Sequence, residues 1–116
     1  MSSEDTKTIV SGYIKGQFAD MCNVSTETVD GTFIVHLYPT SNELKAEIAG
    51  LMIDKTNPEL LNGWNQMSNG LKELSKSVNE QVDENTSIML HNPVNSDMVL
   101  LVTLNDTIFS DFTKDN

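Results

Sequence analysis

The longest regular pattern of apolar residues lies between Pro58 and Val82. Apolar residues recur there in alternating steps of four and three, at Leu60, Trp64, Met67, Leu71, Leu74 and Val78. Such spacing turns one stripe of an α-helix toward a core, with Trp64 as an anchor whose N–H needs a partner. Asn57 is a suitable cap, and Pro58 fits the first helical position. The pattern favours one bent helix over residues 58–82 rather than two helices broken at Ser68-Asn69-Gly70.

Two shorter helical patterns precede the long one. In residues 4–19, apolar side chains recur at helical spacing, at Ile9, Val10, Tyr13, Ile14 and Phe18. The second short pattern runs through Leu44, Ile48, Leu51 and Met52. Before it, Thr40 to Glu43 has the sequence of a capping box, with Thr40 as the expected N-cap. We therefore expect one helix at the start of the chain and another just before the long helix.

The segment between the two short helices has the pattern of a β-hairpin. Asp30-Gly31 joins two β-prone runs, Cys22–Val29 and Thr32–Tyr38. This dipeptide favours a type I′ turn, because both central positions of that turn need positive φ. Pairing through the turn places Val24 opposite Leu37 on a face that we expect to be the core. The other face then holds Asn23, Ser25, Glu27, Ile34, His36 and Tyr38.

The last third of the chain shows a second pair of strands. Ser87–His91 and Met98–Leu104 are β-prone runs separated by a turn at residues 92–97. The second run is apolar on both faces, which is typical of a central strand or of a strand at a dimer interface. Asn105-Asp106 can then cap a short final helix that presents Ile108, Phe109 and Phe112.

The order of these elements, αββ-αα-ββα, indicates an α+β fold. We expect a two-layer sandwich in which two β-hairpins form a four-stranded antiparallel sheet and the helices lie mainly on one face. Residues 1–116 fit a single domain, since a chain of this length can bury a core of its own. The acidic N-terminus, the single cysteine and the lack of an apolar run of roughly 20 residues predict a cytoplasmic protein that does not enter a membrane.

Charge narrows the choice of partner. Seven Lys, no Arg and seventeen acidic residues give a net charge of −10; residues 77–116 hold seven of the acids and one Lys, hence −6. Nucleic-acid phosphates and anionic membranes repel such a chain, so we expect a basic protein partner and no direct nucleic-acid binding. The predicted partner-binding residues are the acids that no Lys between Ser77 and Thr113 offsets: Glu80, Asp83, Glu84, Asp97, Asp106 and Asp111. The alternative is that these charges only keep the surface soluble.

Sequence motifs for catalysis and cofactor binding are missing. There is no phosphate-binding Gly-rich loop, no Gly-x-Ser-x-Gly, no His-Glu-x-x-His, no calcium loop, and no Arg to clamp a carboxylate. We therefore expect neither an enzyme nor a cofactor. His36 and His91 are the two imidazoles, each in a predicted strand. A site using both would need the sheet to bring them together, with Cys22 or a carboxylate as a third group; otherwise each is an ordinary surface histidine.

Three hypotheses about function follow. The first is a non-enzymatic acidic module that binds a basic partner protein as an inhibitor, immunity factor or adaptor, with a nucleic-acid mimic as its sharper version. The second is a homodimeric structural domain that pairs through Met98–Leu104 or the long helix. The third is a small-ligand binder or enzyme that uses His36 or His91, which predicts that both imidazoles converge on a cavity.

Overall fold

The computed structural model describes residues 3–114, with side chains from Glu4 onward. Within that range the chain forms three α-helices, five strands and a short 3₁₀-helix. In chain order they are α1 (Ser3–Gln17), β1 (Cys22–Val29), β2 (Thr32–Pro39), α2 (Asn42–Ile53), α3 (Pro58–Val82), β3 (Asn85–His91), β4 (Val99–Leu104), β5 (Thr107–Asp111) and the 3₁₀-helix Phe112–Lys114. None of the described helices is both long and apolar enough to cross a membrane.

The five strands form one mixed sheet in the order β1-β2-β3-β4-β5. β2 and β3 run parallel, and the other neighbouring strands run antiparallel. The predicted α+β class is confirmed, but the four-stranded antiparallel sheet is wrong. The sheet has a fifth strand, and its two predicted hairpins join through a parallel pair.

The parallel pair arises from the way α2 and α3 return the chain. These helices carry it from the end of β2 back to the level where β2 began, so Asn85 pairs with Thr32 and Leu90 pairs with Leu37. Parallel neighbours need a crossover connection of a dozen or more residues, and the two helices supply it. Within each hairpin the two strands pair as predicted. Between the hairpins the prediction is wrong, because β2 and β3 are parallel.

The fifth strand stands where a final helix was predicted. Asn105 has a left-handed backbone with φ of 51°, and the turn it forms pairs Leu104 with Thr107. The backbone N–H of Asn105 donates to the Thr86 carbonyl at 2.7 Å, and its side-chain oxygen accepts from the Thr86 N–H at 2.9 Å. These bonds tie the turn to β3. Asn105-Asp106 is therefore a hairpin turn rather than a helix cap.

Most local predictions agree with the structure. The first hairpin has the predicted register, and both Asp30 and Gly31 have positive φ. The long helix is one element, with the Asn57 side chain accepting hydrogen bonds at its first turn. The cap of α2 was misplaced by one residue, because the Ser41 hydroxyl, and not that of Thr40, accepts from the Leu44 N–H at 3.1 Å.

The core lies between one face of the sheet and the helices. Side chains of β2 alternate strictly between buried and partly exposed, so the helices cover only one side. Trp64 of α3 anchors this layer: its ring packs edge-on against Phe112 at 5.0 Å between centroids, and its Nε1–H donates to the Asp111 carboxylate at 3.0 Å. The prediction that Trp64 is a core anchor with a partnered N–H is confirmed.

Candidate functional site

The sheet face opposite the helices, called here the open face, carries the candidate site. Its apolar groove has a volume of about 350 Å³ and is lined by residues of all five strands. The groove is lined by Val29, Ile34, Met89, Val102, Leu104 and Phe109. Phe109 is 70% exposed, although aromatic side chains are normally placed where they lose contact with water. A contiguous apolar surface of this kind marks an interaction site more often than an isolated exposed side chain does.

The floor of the apolar groove holds a polar group without a partner. Ser87 is only 4% exposed, and among the described residues its hydroxyl makes no hydrogen bond. Buried hydroxyls are nearly always hydrogen-bonded, because an unmet donor or acceptor costs free energy. The groove therefore offers apolar contacts together with one hydrogen-bonding position.

Positive charge is segregated from the open face. The five strands contain no Lys, and the chain has no Arg. The lysines lie on the helices and their connections, at Lys7, Lys15, Lys45, Lys55, Lys72, Lys76 and Lys114. Asp30 lines one end of the groove, and Asp106 lies in the adjoining β4–β5 turn. A ligand on the open face therefore meets acidic side chains and imidazoles of the protein, but no lysine of the strands.

The structure gathers four of the six predicted partner-binding acids at one end of the sheet. Glu80, Asp83 and Glu84 lie at the C-terminal end of α3, and Asp106 lies beside them because Thr86 bonds to the β4–β5 turn. Together with Asp30 they form what we call the acidic end.

Lysines from the helices reach the acidic end as well. Lys7 of α1 is almost fully buried and pairs with Glu84 at 2.7 Å and with Glu4 at 3.3 Å. The hydrogen bond to Glu84 is the main reason that the pKa of Lys7 is raised above its usual value. Lys72 and Lys76 share a shallow cleft with Glu80 and Asp106. Lysines of α1 and α3 thus offset part of the negative charge of the acidic end, and the sequence alone could not show this.

The other two predicted acids lie apart from this end. Asp97 is exposed in the loop between β3 and β4, at the opposite end of the sheet. Asp111 is buried on the covered face, where its carboxylate accepts from Trp64 and from the backbone and hydroxyl of Thr113 at 2.7–3.0 Å. Asp111 is therefore part of the core.

A second group of functional side chains lies further along the open face. The two imidazoles meet there, with His36 Nδ1 2.8 Å from His91 Nε2. The Tyr38 ring stacks on His91 with 4.3 Å between centroids, and the Glu27 carboxylate accepts from His36 Nε2 at 2.5 Å. We call these four residues the imidazole cluster. The two imidazoles meet, but they contact each other, and the convergence on a cavity that the third hypothesis requires stays a prediction.

Hydrogen-bond chemistry fixes how many protons the imidazole cluster shares. The Ser96 carbonyl can only accept, so His91 Nδ1, 2.7 Å away, carries a proton. One further proton is needed between the two rings and one between His36 and Glu27. The contacts thus hold three protons in series, one of which lies between two ring nitrogens that would otherwise direct lone pairs at each other.

Strand alternation could place part of this cluster, but not all of it. Glu27, His36 and Tyr38 were predicted on one face of the first hairpin, and they lie there. His91 joins them only because β3 runs parallel to β2, with Met89 opposite His36. Among residues 4–114, no group of three or more His, Cys, Asp or Glu side chains is arranged to hold a metal ion.

A larger cleft, about 560 Å³, lies between α1 and the first hairpin. Its lining is mostly polar, and its buried cation, Lys7, is already engaged by Glu4, Glu84 and the Thr28 hydroxyl. This cleft offers a ligand little that is not already bonded within the chain.

Comparison of the chain with protein-family models, with curated proteins and with solved structures finds no match.

Proposed function

We propose that this protein is a non-enzymatic protein-binding module, and that its apolar groove and acidic end together bind an amphipathic segment of a basic partner protein. One observation carries the proposal: exposed apolar side chains of the open face, whose strands have no lysine, adjoin the carboxylate of Asp30. The protein's role would then be that of an inhibitor, an immunity factor or an adaptor.

The apolar groove supplies the attraction at short range. Burying apolar surface releases roughly 25 cal/mol per Å², and large aromatic side chains dominate interface energies. Phe109 stands out of the groove and Leu104 lies beside it, both exposed. An apolar side chain of the partner would fit between them, and a polar group next to it would satisfy the Ser87 hydroxyl.

The acidic end supplies orientation and speed. Carboxylates that border an apolar patch steer a basic ligand toward it and raise the association rate, and this effect weakens as salt screens the charges. Asp30 is the closest of these groups to the groove, and Asp106 follows in the next turn. We therefore expect Lys or Arg in the partner segment, flanking its apolar side chain.

A second copy of this chain fits the same face less well. Two copies packed through their open faces would bring together surfaces that both lack lysine, and like charges across an interface disfavour association. The homodimer hypothesis makes a separate prediction, since sedimentation would then give a dimer that Phe109→Ser disrupts. A monomer at micromolar concentration removes it.

The test compares two exposed apolar residues on opposite layers. Phe109 lies on the open face, whereas Ile53, 89% exposed, lies at the end of α2. We expect wild-type protein and Ile53→Ser, used as baits in a lysate of the native host, to retain a basic protein that Phe109→Ser loses. The affinity of the purified pair should fall about tenfold or more in Phe109→Ser, as for an interface hot spot.

Salt dependence supplies the second criterion. Raising ionic strength from 50 to 500 mM in the experiment should weaken retention, and Asp30→Asn should reduce this dependence. A bound protein that both Ser variants retain equally, or binding that salt does not change, would overturn the proposal.

A further inference from the structure

We infer that His36 and His91 form a two-imidazole chelating site for a divalent ion of the first transition row that prefers imidazole ligands, such as Zn²⁺. The inference goes beyond the proposed function and rests on the imidazole cluster alone. Two ring nitrogens, His36 Nδ1 and His91 Nε2, face each other at 2.8 Å on the open face. Imidazole is the ligand that Zn²⁺, Cu²⁺ and Ni²⁺ share in proteins.

The outer nitrogens of both rings are anchored in the way that metal-binding histidines require. His36 Nε2 donates to the Glu27 carboxylate, and His91 Nδ1 donates to the Ser96 carbonyl at 2.7 Å. A ligating histidine almost always donates its other N–H to a carboxylate or a backbone carbonyl, which fixes the tautomer and orients the lone pair. The cluster has one partner of each kind. Both inner nitrogens are thereby left as the positions that take a cation.

The 2.8 Å contact between the inner nitrogens needs one shared proton. A metal ion takes its place when the shared proton leaves to solvent, after which each ring gives one lone pair to the ion. Two Zn–N bonds of about 2.0–2.1 Å at a tetrahedral angle separate the nitrogens by about 3.3 Å. The rings therefore have to open by about half an ångström from 2.8 Å. Binding of one ion releases one proton, because ligands must be deprotonated.

The remaining ligands have to come from outside the protein, on the solvent-exposed Glu27 side of the cluster. The open face leaves Glu27 half-exposed, and Tyr38 stacks on His91 without hydrogen-bonding either inner nitrogen. Cys22 cannot contribute, since its side chain is buried in the core cluster on the other side of the sheet. Because the protein supplies two ligands, water or a carboxylate of another molecule completes the coordination. The Glu27 carboxylate offsets part of the added charge.

Zinc titration by calorimetry of the full chain tests the inference. We expect one ion per chain for wild-type protein, with His36→Gln and His91→Gln each weakening binding at least tenfold. Glu27→Gln keeps a hydrogen-bond acceptor but loses the charge, and changes of this outer shell typically cost about 10–100-fold in metal affinity. Glu43→Gln, an exposed carboxylate on α2, is the matched control and should bind as wild type.

Two further measurements separate this site from adventitious binding to carboxylates. Repeating the titration in buffers of different ionisation enthalpy should give one proton released per ion in wild-type protein. Circular dichroism shows whether each variant folds. If His91→Gln does not fold, the zinc affinity of His36→Gln alone tests the inference. Equal zinc binding by wild type and His36→Gln, or no binding by wild type, overturns the inference. No partner protein is needed, so either result leaves the proposed function untouched.

Discussion

The two faces of this sheet are built from the same strands, yet the side chains of one face are buried and those of the other are partly exposed. On the covered face, Val35, Leu37, Ile88 and Leu90 are almost completely buried beneath α3 and its neighbours. One residue further along each strand, the open face carries apolar, aromatic and titratable side chains that no described helix covers. Core packing explains the first set. Core packing does not explain the exposed apolar members of the second set, and these are the side chains on which the proposed partner contact depends.

Acidic residues show the same contrast. Asp111 faces the core and bonds to Trp64, whereas Asp30 lines the groove on the open face and Asp106 is exposed in the β4–β5 turn. A carboxylate of the first kind is needed for stability, and one of the second kind is available for binding. The residue type alone does not separate them, because the face on which the side chain lies decides its role.

The largest expected effect distinguishes neighbouring residues on one strand. Leu90 is 1% exposed, while Met89 beside it lies on the open face. Leu90→Ala should lower the free energy of unfolding by about 2–5 kcal/mol, because it removes buried surface and leaves a cavity. Met89→Ala should cost about 1 kcal/mol or less, as for changes outside a packed core. Urea unfolding of both variants measures the difference. Equal losses would mean that another part of the chain covers the open face.

The second effect separates the two kinds of carboxylate. Asp111→Ala leaves the buried Trp64 N–H without an acceptor, so we expect a loss of about 1–3 kcal/mol in unfolding free energy. Asp106→Ala removes an exposed charge from a turn and should change stability by about 0.5 kcal/mol or less. Thermal and urea unfolding of the pair provide the measurement. A large loss in Asp106→Ala together with none in Asp111→Ala would reverse the assignment of core and binding acids.

Local patterns in the sequence were sufficient for much of the fold. Asp30-Gly31 and strict alternation in β2 determine the first hairpin, so Glu27, His36 and Tyr38 could be placed on one face. The long helix followed from its apolar stripe and from Asn57. In each case the residues that decide the structure lie within a few positions of one another. The prediction failed where they do not.

Long-range contacts account for what could not be predicted. The parallel pairing of β2 with β3 joins residues about 50 positions apart through two helices, and neither strand carries a local sign of direction. Asn105 is suited both to a helix cap and to a left-handed turn, and its bonds to Thr86 select the turn. For the same reason the sequence could not show that His36 contacts His91, since this contact depends on the pairing of β2 with β3. For the acidic residues, sequence position showed an excess of charge but could not show that Asp111 points inward.

The smallest effect concerns the one thiol, which belongs to the covered side of the comparison. Cys22 is 4% exposed, and burial raises the pKa of its thiol to about 11. In the unfolded chain the thiol loses its proton near pH 8.5, so between these values the folded chain holds a proton that the unfolded chain has lost. The contribution of this thiol to the free energy of unfolding is therefore fully present below about pH 8.5 and is lost as the pH rises toward 11.

One thiol changes the unfolding free energy by at most about 1.4 kcal/mol per pH unit, and we expect about 1 kcal/mol between pH 9 and 10. Lysines and tyrosines also titrate in this range, so the slope must be compared with that of Cys22→Ala, which lacks the thiol but keeps the other groups. The variant should be less stable near neutral pH, where the thiol is protonated in both states, and should lose stability less steeply above pH 9. Parallel slopes would show that water reaches the thiol, and hence that the covered face is less tightly closed than its burial indicates.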